Sequence, residues 1–234
     1  MNDVLIGREK ECADITDLMS RKKHVIIFGA EGVGKTAIID KLLSENQNSS
    51  RFLYSKESKT LKEALINIIS FNTGADRHIK EKNILSLRKM FYPLLDKEPQ
   101  YIIFDHIEYV DPKYYLFLEY LIERKLPLMI AGQGTDKKSI GYLRMLLFNF
   151  KKVEICALSR MKTDEMVNYY IGRFDIKVVQ MDTFKKDVFH FSNGNPGIVK
   201  KICSMAVDAK YQKKGFIDVM LINLDRRIGY IGNS

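Results

Sequence analysis

Apolar and polar positions along this chain follow two rhythms. Short, nearly continuous apolar runs recur through the first two thirds: "HVIIF" (24–28), "RFLYS" (51–55), "YIIF" (101–104), "PLMIA" (127–131) and "KVEIC" (152–156). Runs of this length, rich in branched residues, predict strands buried on both faces. Between them the apolar residues shift to helical spacing. Leu61, Ala64, Leu65, Ile68 and Ile69 recur on one helix face behind a capping box, Thr60 to Glu63. Leu87, Phe91, Leu94 and Leu95 repeat the pattern, and "VDPKYYLFLEYLIE" opens with Asp111 as N-cap and Pro112 in the first turn. Such alternation predicts an α/β fold with a five-stranded parallel sheet and helices on both faces.

After Cys156 the strand rhythm stops. "SRMKTDEMVNYYIGRF", "DTFKKDVFHFS", "NPGIVKKICSMAVDAKY" and "FIDVMLINLDRR" read as helices divided by short polar breaks, and the final "IGYIGNS" reads as a loose end. The chain is expected to divide into an α/β core, 1–157, and a small all-helical domain, 158–234.

Composition narrows this picture. With 46% apolar and 29% charged residues in 234, the chain is globular rather than disordered. No apolar stretch reaches the length of a membrane span and the N-terminus lacks a secretory core, so a cytoplasmic protein with no membrane partner is expected. Cys12, Cys156 and Cys203 are far apart and read as reduced, buried small hydrophobes; His24, His78, His106 and His190 lack metal-ligand spacing. The net charge of +9 is scattered as lysine pairs, from Lys22-Lys23 to Lys213-Lys214. Scatter favours solvated faces, while the basic excess leaves DNA open as a partner.

One stretch announces chemistry. "FGAEGVGKT" (28–36) matches G-x-x-x-x-G-K-[ST] between a strand and a helix, with Gly29, Gly34, Lys35 and Thr36 at the fixed positions. The backbone N–H groups of Gly29, Ala30, Glu31, Gly32, Val33, Gly34, Lys35, Thr36 and Ala37 are placed to cradle phosphates at the positive end of a helix. Lys35 supplies a point charge to the β- and γ-phosphates of ATP, and Thr36 a hydroxyl ligand for Mg²⁺. The second metal group is expected at the end of a neighbouring strand, where Asp105 follows "YIIF". Glu108 is the chosen base for the attacking water, ahead of Asp111; His106 reads as a locally hydrogen-bonded imidazole.

With these residues in place the chain resembles the AAA-plus and STAND superfamily of P-loop ATPases, whose core is RecA/ASCE-like and carries a helical lid. "LIGREKECADITDLM" resembles the segment that precedes the phosphate loop in origin-recognition-like, archaeal and STAND ATPases, which implies a pocket-closing role for Arg8. An exposed helix-start arginine explains it equally well. "PLMIAGQGTD" is similar to the strand that carries the γ-phosphate sensor, implying that role for Gln133, with Thr135 as a second candidate. "FSNGNPGIVKKI" resembles the G-x-P element of the lid, implying that Pro196 packs near the adenine; an Asn195 cap with Pro196 starting a helix also accounts for it. The sequence departs from the family twice: His106 stands where a second acidic residue is usual, and Asn149 lies near the place of an arginine finger, with Arg144 a poor substitute. The resemblance implies an ATPase that binds ATP or ADP with Mg²⁺ and works as a slow conformational switch through a protein partner or self-association. The alternative is a DNA-associated ATPase of the loader or transposition-regulator kind.

Overall fold

The computed structural model describes residues 4–45, 52–74, 78–213 and 216–231. Arg51, Lys214 and residues 232–234, which carried parts of the strand, charge-pair and chain-end expectations, lie outside the described residues. The chain forms two compact units: Arg8–Ala30 with Lys35–Ile155, and Met1–Gly7 with Glu31–Gly34 and Cys156–Ser234.

The first unit is the α/β core. Its strands are β1 (His24–Phe28), β2 (Phe52–Ser55), β3 (Tyr101–Ile107), β4 (Leu128–Gly132) and β5 (Phe150–Glu154), in a five-stranded sheet ordered β2-β3-β4-β1-β5. Every pairing is parallel. α1 (Glu9–Ser20) leads into β1; parallel strands require crossovers, and these are α2 (Lys35–Glu45), α3 (Leu61–Thr73), α4 (Ile84–Leu95) and α5 (Pro112–Glu123) with short helical turns before β5. Ile26, Leu53, Ile102, Phe104 and Ile130 join the apolar stripes of α3, α4 and α5 in one buried cluster. With period two, Tyr101 and Ile103 of β3 fall to the opposite face; the Tyr101 hydroxyl donates to the Lys23 carbonyl at 2.6 Å, where α1 leads into β1. Burial on both faces explains why these strands read as unbroken apolar runs.

Local chemistry sets the helix starts. The Thr60 hydroxyl accepts from the Glu63 N–H, and the Asp111 carboxylate from the Tyr114 N–H, at the two positions read as caps. β5 begins two residues before the expected run, because its ladder opens with Phe150 opposite His24, their rings 5.4 Å apart. Lys151, Lys152 and Glu154 are exposed there, as an edge strand of the sheet tolerates charged residues. Cys156, expected to be buried, is exposed just past that edge, whereas Cys12 and Cys203 are buried as expected.

The second unit packs α7 (Arg160–Phe174), α8 (Met181–Ser192), α9 (Pro196–Met205) and α10 (Val219–Ile231) around Val167, Tyr170, Val188, Val199, Ile202 and Cys203; α6 is the short turn Lys137–Ile140 of the first unit. Three expectations need correction here. The unit is helical but also carries a two-stranded antiparallel ribbon, β6 (Gln212–Lys213) with β7 (Phe216–Ile217). The predicted long helix after Asn195 ends at Met205, because Asp208 caps a separate turn at Ala209–Tyr211 that buries the Tyr211 ring and joins its hydroxyl to Asp225 at 2.9 Å. The "IGYI" read as loose continues α10 to Ile231.

Between α8 and α9 the chain turns at Gly194, with φ +73°, and the Gly194 carbonyl accepts from the Leu158 N–H at 2.8 Å. A Cβ at Gly194 would overlap the Leu158 carbonyl oxygen. Gly194→Ala is therefore expected to lower stability by about 2–3 kcal/mol, read by urea or thermal denaturation, with a wild-type-like midpoint counting against this turn as a constraint.

Candidate functional site

Parallel sheets present their ligand-binding loops at the carboxyl ends of the strands, and the chemistry-bearing residues of the core gather there. The registers align that edge: Gly132 of β4 sits opposite Phe28 of β1 on one side and Ile107 of β3 on the other. Gly29 leaves β1 at this level and Gln133 leaves β4 beside it.

Lys35 opens α2, and its ammonium donates to the carbonyls of Gly29 (2.8 Å) and Ala30 (2.9 Å). The charge is thereby held at the mouth of the loop by the loop's own backbone. One residue on, the Thr36 hydroxyl donates to Asp105 Oδ2 at 2.7 Å. These two residues are 69 apart in sequence, and their contact joins the loop helix to β3.

Asp105 does not end its strand, as the sequence suggested. β3 continues to Ile107, and the β3–β4 register shifts between Phe104 and Ile107. Within that irregularity His106 has φ +52°, and its N–H donates to Asp105 Oδ1 at 2.8 Å. The local bulge re-aims the carboxylate, a known use of such irregularities. Asp105 is fully buried. Burial pushes its pKa above the ordinary carboxylate value, while the Thr36 hydroxyl, His106 and Lys35 pull against that rise. A buried carboxylate with a hydroxyl at hydrogen-bond distance is a hard-oxygen pair suited to Mg²⁺, which takes few protein ligands beside phosphates and water. Among the described residues no group of three or more His, Cys, Asp or Glu could hold a metal alone. The residues fit a metal that arrives with a nucleotide.

The other named residues are distributed as follows. His106 is exposed and its Nδ1 lies 3.0 Å from the Lys56 carbonyl, an imidazole engaged with local backbone. Glu108, past the end of β3, is half exposed and ion-paired with Lys59 at 3.0 Å. Asp111 is committed as the cap of α5. Gln133 is exposed and Thr135 half-buried in the loop after β4. Arg8 is buried rather than exposed, at the N-cap of α1, with Glu11 at 2.8 Å. Arg144 and Asn149 lie on one 3-10 segment, Tyr142–Asn149, rather than on an α-helix.

The crown of the loop, Glu31–Gly34, clusters with the second unit. There Asn195 does more than cap α9. Its Oδ1 accepts from the Ile198 N–H at 3.2 Å while its Nδ2 donates to the Glu31 carbonyl at 2.7 Å. The Gly197 N–H donates to the Gly32 carbonyl at 2.9 Å. Gly32, at φ +78°, has no room for a Cβ against Asn195 Oδ1 (2.7 Å), and a Cβ on Gly197 would meet Gly32 Cα at 3.1 Å. The glycines of "GNPG" and of the loop are thus matched to one another. Pro196, the residue singled out from sequence, is half-buried at the first position of α9. The signal for Asn195 was present as a cap residue with a spare amide, but its target lies 164 residues away.

The family model for the AAA domain matches residues 21–141. The chain belongs to the AAA domain family. That match runs from the turn before β1 through the loop, Asp105 and β4, so this AAA domain includes the Lys35–Thr36–Asp105 cluster. Among solved structures the chain is similar to the Walker-type ATPase PABY2304 of Pyrococcus abyssi, at 14% identity and a TM-score of 0.62, covering 97% of this chain and 74% of that one. It is also similar to Hsp104 of S. cerevisiae in its ADP complex, at 14% identity and a TM-score of 0.57 over 88% of this chain and 31% of that one. At these identities the likeness is one of fold. No curated protein matches the sequence.

The buried Asp105 yields a prediction with a defined sign. A carboxyl whose folded pKa is raised favours folding at acid pH, and that contribution is lost as pH rises through the raised value. Asp105→Asn keeps the shape and can still bond Thr36 and His106. It is expected to melt a few degrees above wild type at neutral pH without nucleotide, the gap closing as pH falls through the carboxylate range. Magnesium-dependent nucleotide affinity should fall in the same variant. A lower melting temperature at neutral pH would contradict the burial argument.

Proposed function

We propose that this AAA-family protein binds ATP with Mg²⁺, hydrolyses it slowly and uses the two nucleotide states as a conformational switch, with residues 1–157 as the nucleotide-binding core and 158–234 as the lid. The observation that carries this reading is the Thr36–Asp105 hydrogen bond beside the Lys35 ammonium. Together they put a point charge, a hydroxyl and a buried carboxylate at the start of α2, where a triphosphate and its metal are bound in P-loop proteins. The similar Hsp104 structure is a complex with ADP. With ATP and Mg²⁺ bound, Lys35 would turn from the Gly29 and Ala30 carbonyls to the γ-phosphate, Thr36 and Asp105 would hold the metal, and Gln133 would sense the phosphate from the adjoining strand end. Arg8 completes the nucleotide pocket in this reading.

Glu108 is the proposed base, and its ion pair with Lys59 is what restrains it. Water is activated only when the carboxylate turns from Lys59, which suits slow turnover. The switch is carried by the loop crown. Glu31 and Gly32 give their carbonyls to Asn195 and Gly197, while the N–H groups on the same peptide planes, those of Gly32 and Val33, belong to the phosphate cradle, so phosphate binding bears directly on that contact.

Two measurements test these assignments. Lys35→Ala should lose nucleotide binding by at least about tenfold, measured with a fluorescent ATP analogue, whereas Glu108→Gln should bind normally and lose phosphate release by about a hundredfold. Undiminished hydrolysis in Glu108→Gln, with loss in His106→Ala, would move the role to the imidazole. DNA affinity measured across a salt series on the same samples separates the switch from a DNA-associated ATPase, since phosphate-backbone binding weakens steeply with salt.

For the switch, Asn195→Asp keeps the α9 cap but turns a donor into a carboxylate facing the Glu31 carbonyl. It should change the ratio of ATP to ADP affinity several-fold with little change in melting temperature. An unchanged ratio would remove Asn195 from the switch.

A further inference from the structure

Away from the phosphate loop, α4 and α5 leave a groove of about 480 Å³ on the surface of the core unit. α4 contributes Leu85, Arg88 and Tyr92, spaced i, i+3, i+7; α5 contributes Lys113, Leu116, Phe117 and Tyr120, spaced i, i+3, i+4, i+7. These spacings give each helix a stripe about 10 Å long, two turns, at 1.5 Å per residue. The stripes are joined below by aromatic contacts: Phe91 with Phe117 at 5.4 Å and Tyr92 with Tyr120 at 5.7 Å. Above them the aliphatic residues stand in solvent, Leu85 71% and Leu116 59% exposed. Leucines that exposed, side by side on a fixed aromatic floor, mark a binding surface better than isolated exposed residues do.

Charge selects the occupant. Both charged residues lining the groove are cations, Arg88 and Lys113. The Arg88 guanidinium lies over the Phe117 ring, 5.8 Å from its centroid. Its Nε is shielded from solvent and has no hydrogen-bond partner among the described residues. A guanidinium laid over an aromatic ring offers the planar fork of its terminal nitrogens to a carboxylate. A second copy of this chain, which carries +9, would bring net positive charge to a cationic groove. An acidic partner meets no such repulsion.

We propose that the α4–α5 groove docks an acidic amphipathic helix of a partner protein, whose aliphatic side chains at i, i+3 or i+4, and i+7 seat between Leu85 and Leu116 while flanking carboxylates bind Arg88 and Lys113. This is helix-in-groove recognition, and it depends on none of the nucleotide-site residues.

The test uses the full chain and a fluorescent model helix with leucines at that spacing, flanked by glutamates. Its companion has the same leucines flanked by lysines. Anisotropy titrations at low salt should show the acidic helix binding at least about tenfold more tightly. Arg88→Glu with Lys113→Glu should invert that preference, and the uncharged Leu116→Asn should weaken both helices. Unchanged melting curves and nucleotide binding identify the variants as folded, and Lys113→Glu alone supplies a milder second reading. Equal affinity for the two helices, or binding indifferent to these substitutions, would overturn the proposal. So would sedimentation showing wild-type self-association that Leu116→Asn abolishes, because the occupant would then be a second copy.

Discussion

The core is organised around a carboxylate that the protein buries against its own electrostatic interest. Asp105 sits fully buried in β3, where burial raises its pKa, and two hydrogen bonds relieve only part of that strain. One comes from the backbone of His106, which adopts a left-handed conformation in the register shift; the other comes from Thr36 on α2. The bulge and the loop helix therefore meet at one oxygen pair. A leucine at this position would suit the surrounding apolar strand better. In the proposed function, an aspartate here trades stability for chemistry, as functional sites commonly do.

Much of this was legible in the sequence because the signals were local or periodic. The loop is a contiguous motif, the strands are continuous apolar runs, and the caps at Thr60 and Asp111 depend on residues three apart. What was not legible depended on pairing. The extension of β3 past Asp105 is invisible in "DHIE", where the charged and polar residues suggest a strand already finished. Only the register of Ile107 with Gly132 shows that the ladder resumes after the bulge. The start of β5 depended on pairing too, since the ladder opens with Phe150 opposite His24 and the exposed Lys151 and Lys152 of this edge strand hide that start.

The second unit shows the same limit from the other direction. "NPGIVKKICSMAVDAKY" has helical composition throughout, yet the helix stops at Met205, because Asp208 begins a new capped turn and Tyr211 is worth burying with its hydroxyl on Asp225. Local propensity could not see the Asp225 partner. Asn195 was likewise read for what it does to its neighbours, as the start of α9. Its second bond, to the Glu31 carbonyl, follows from the fold alone.

These bonds change what the glycines of the loop mean. In a phosphate loop, glycine is ordinarily explained by the close approach of backbone to phosphate. Gly32 has a further constraint here, since a side chain would strike Asn195, and Gly197 is constrained in return by Gly32. The carbonyls of Glu31 and Gly32 are thus matched to α9, and the N–H groups on the same two peptide planes are those of Gly32 and Val33. A peptide plane is rigid, so a rotation that improves one set of hydrogen bonds must alter the other. In the proposed switch, coupling between nucleotide and helical unit needs no long pathway of side chains, because the Glu31–Gly32 and Gly32–Val33 peptide planes carry both sets of bonds.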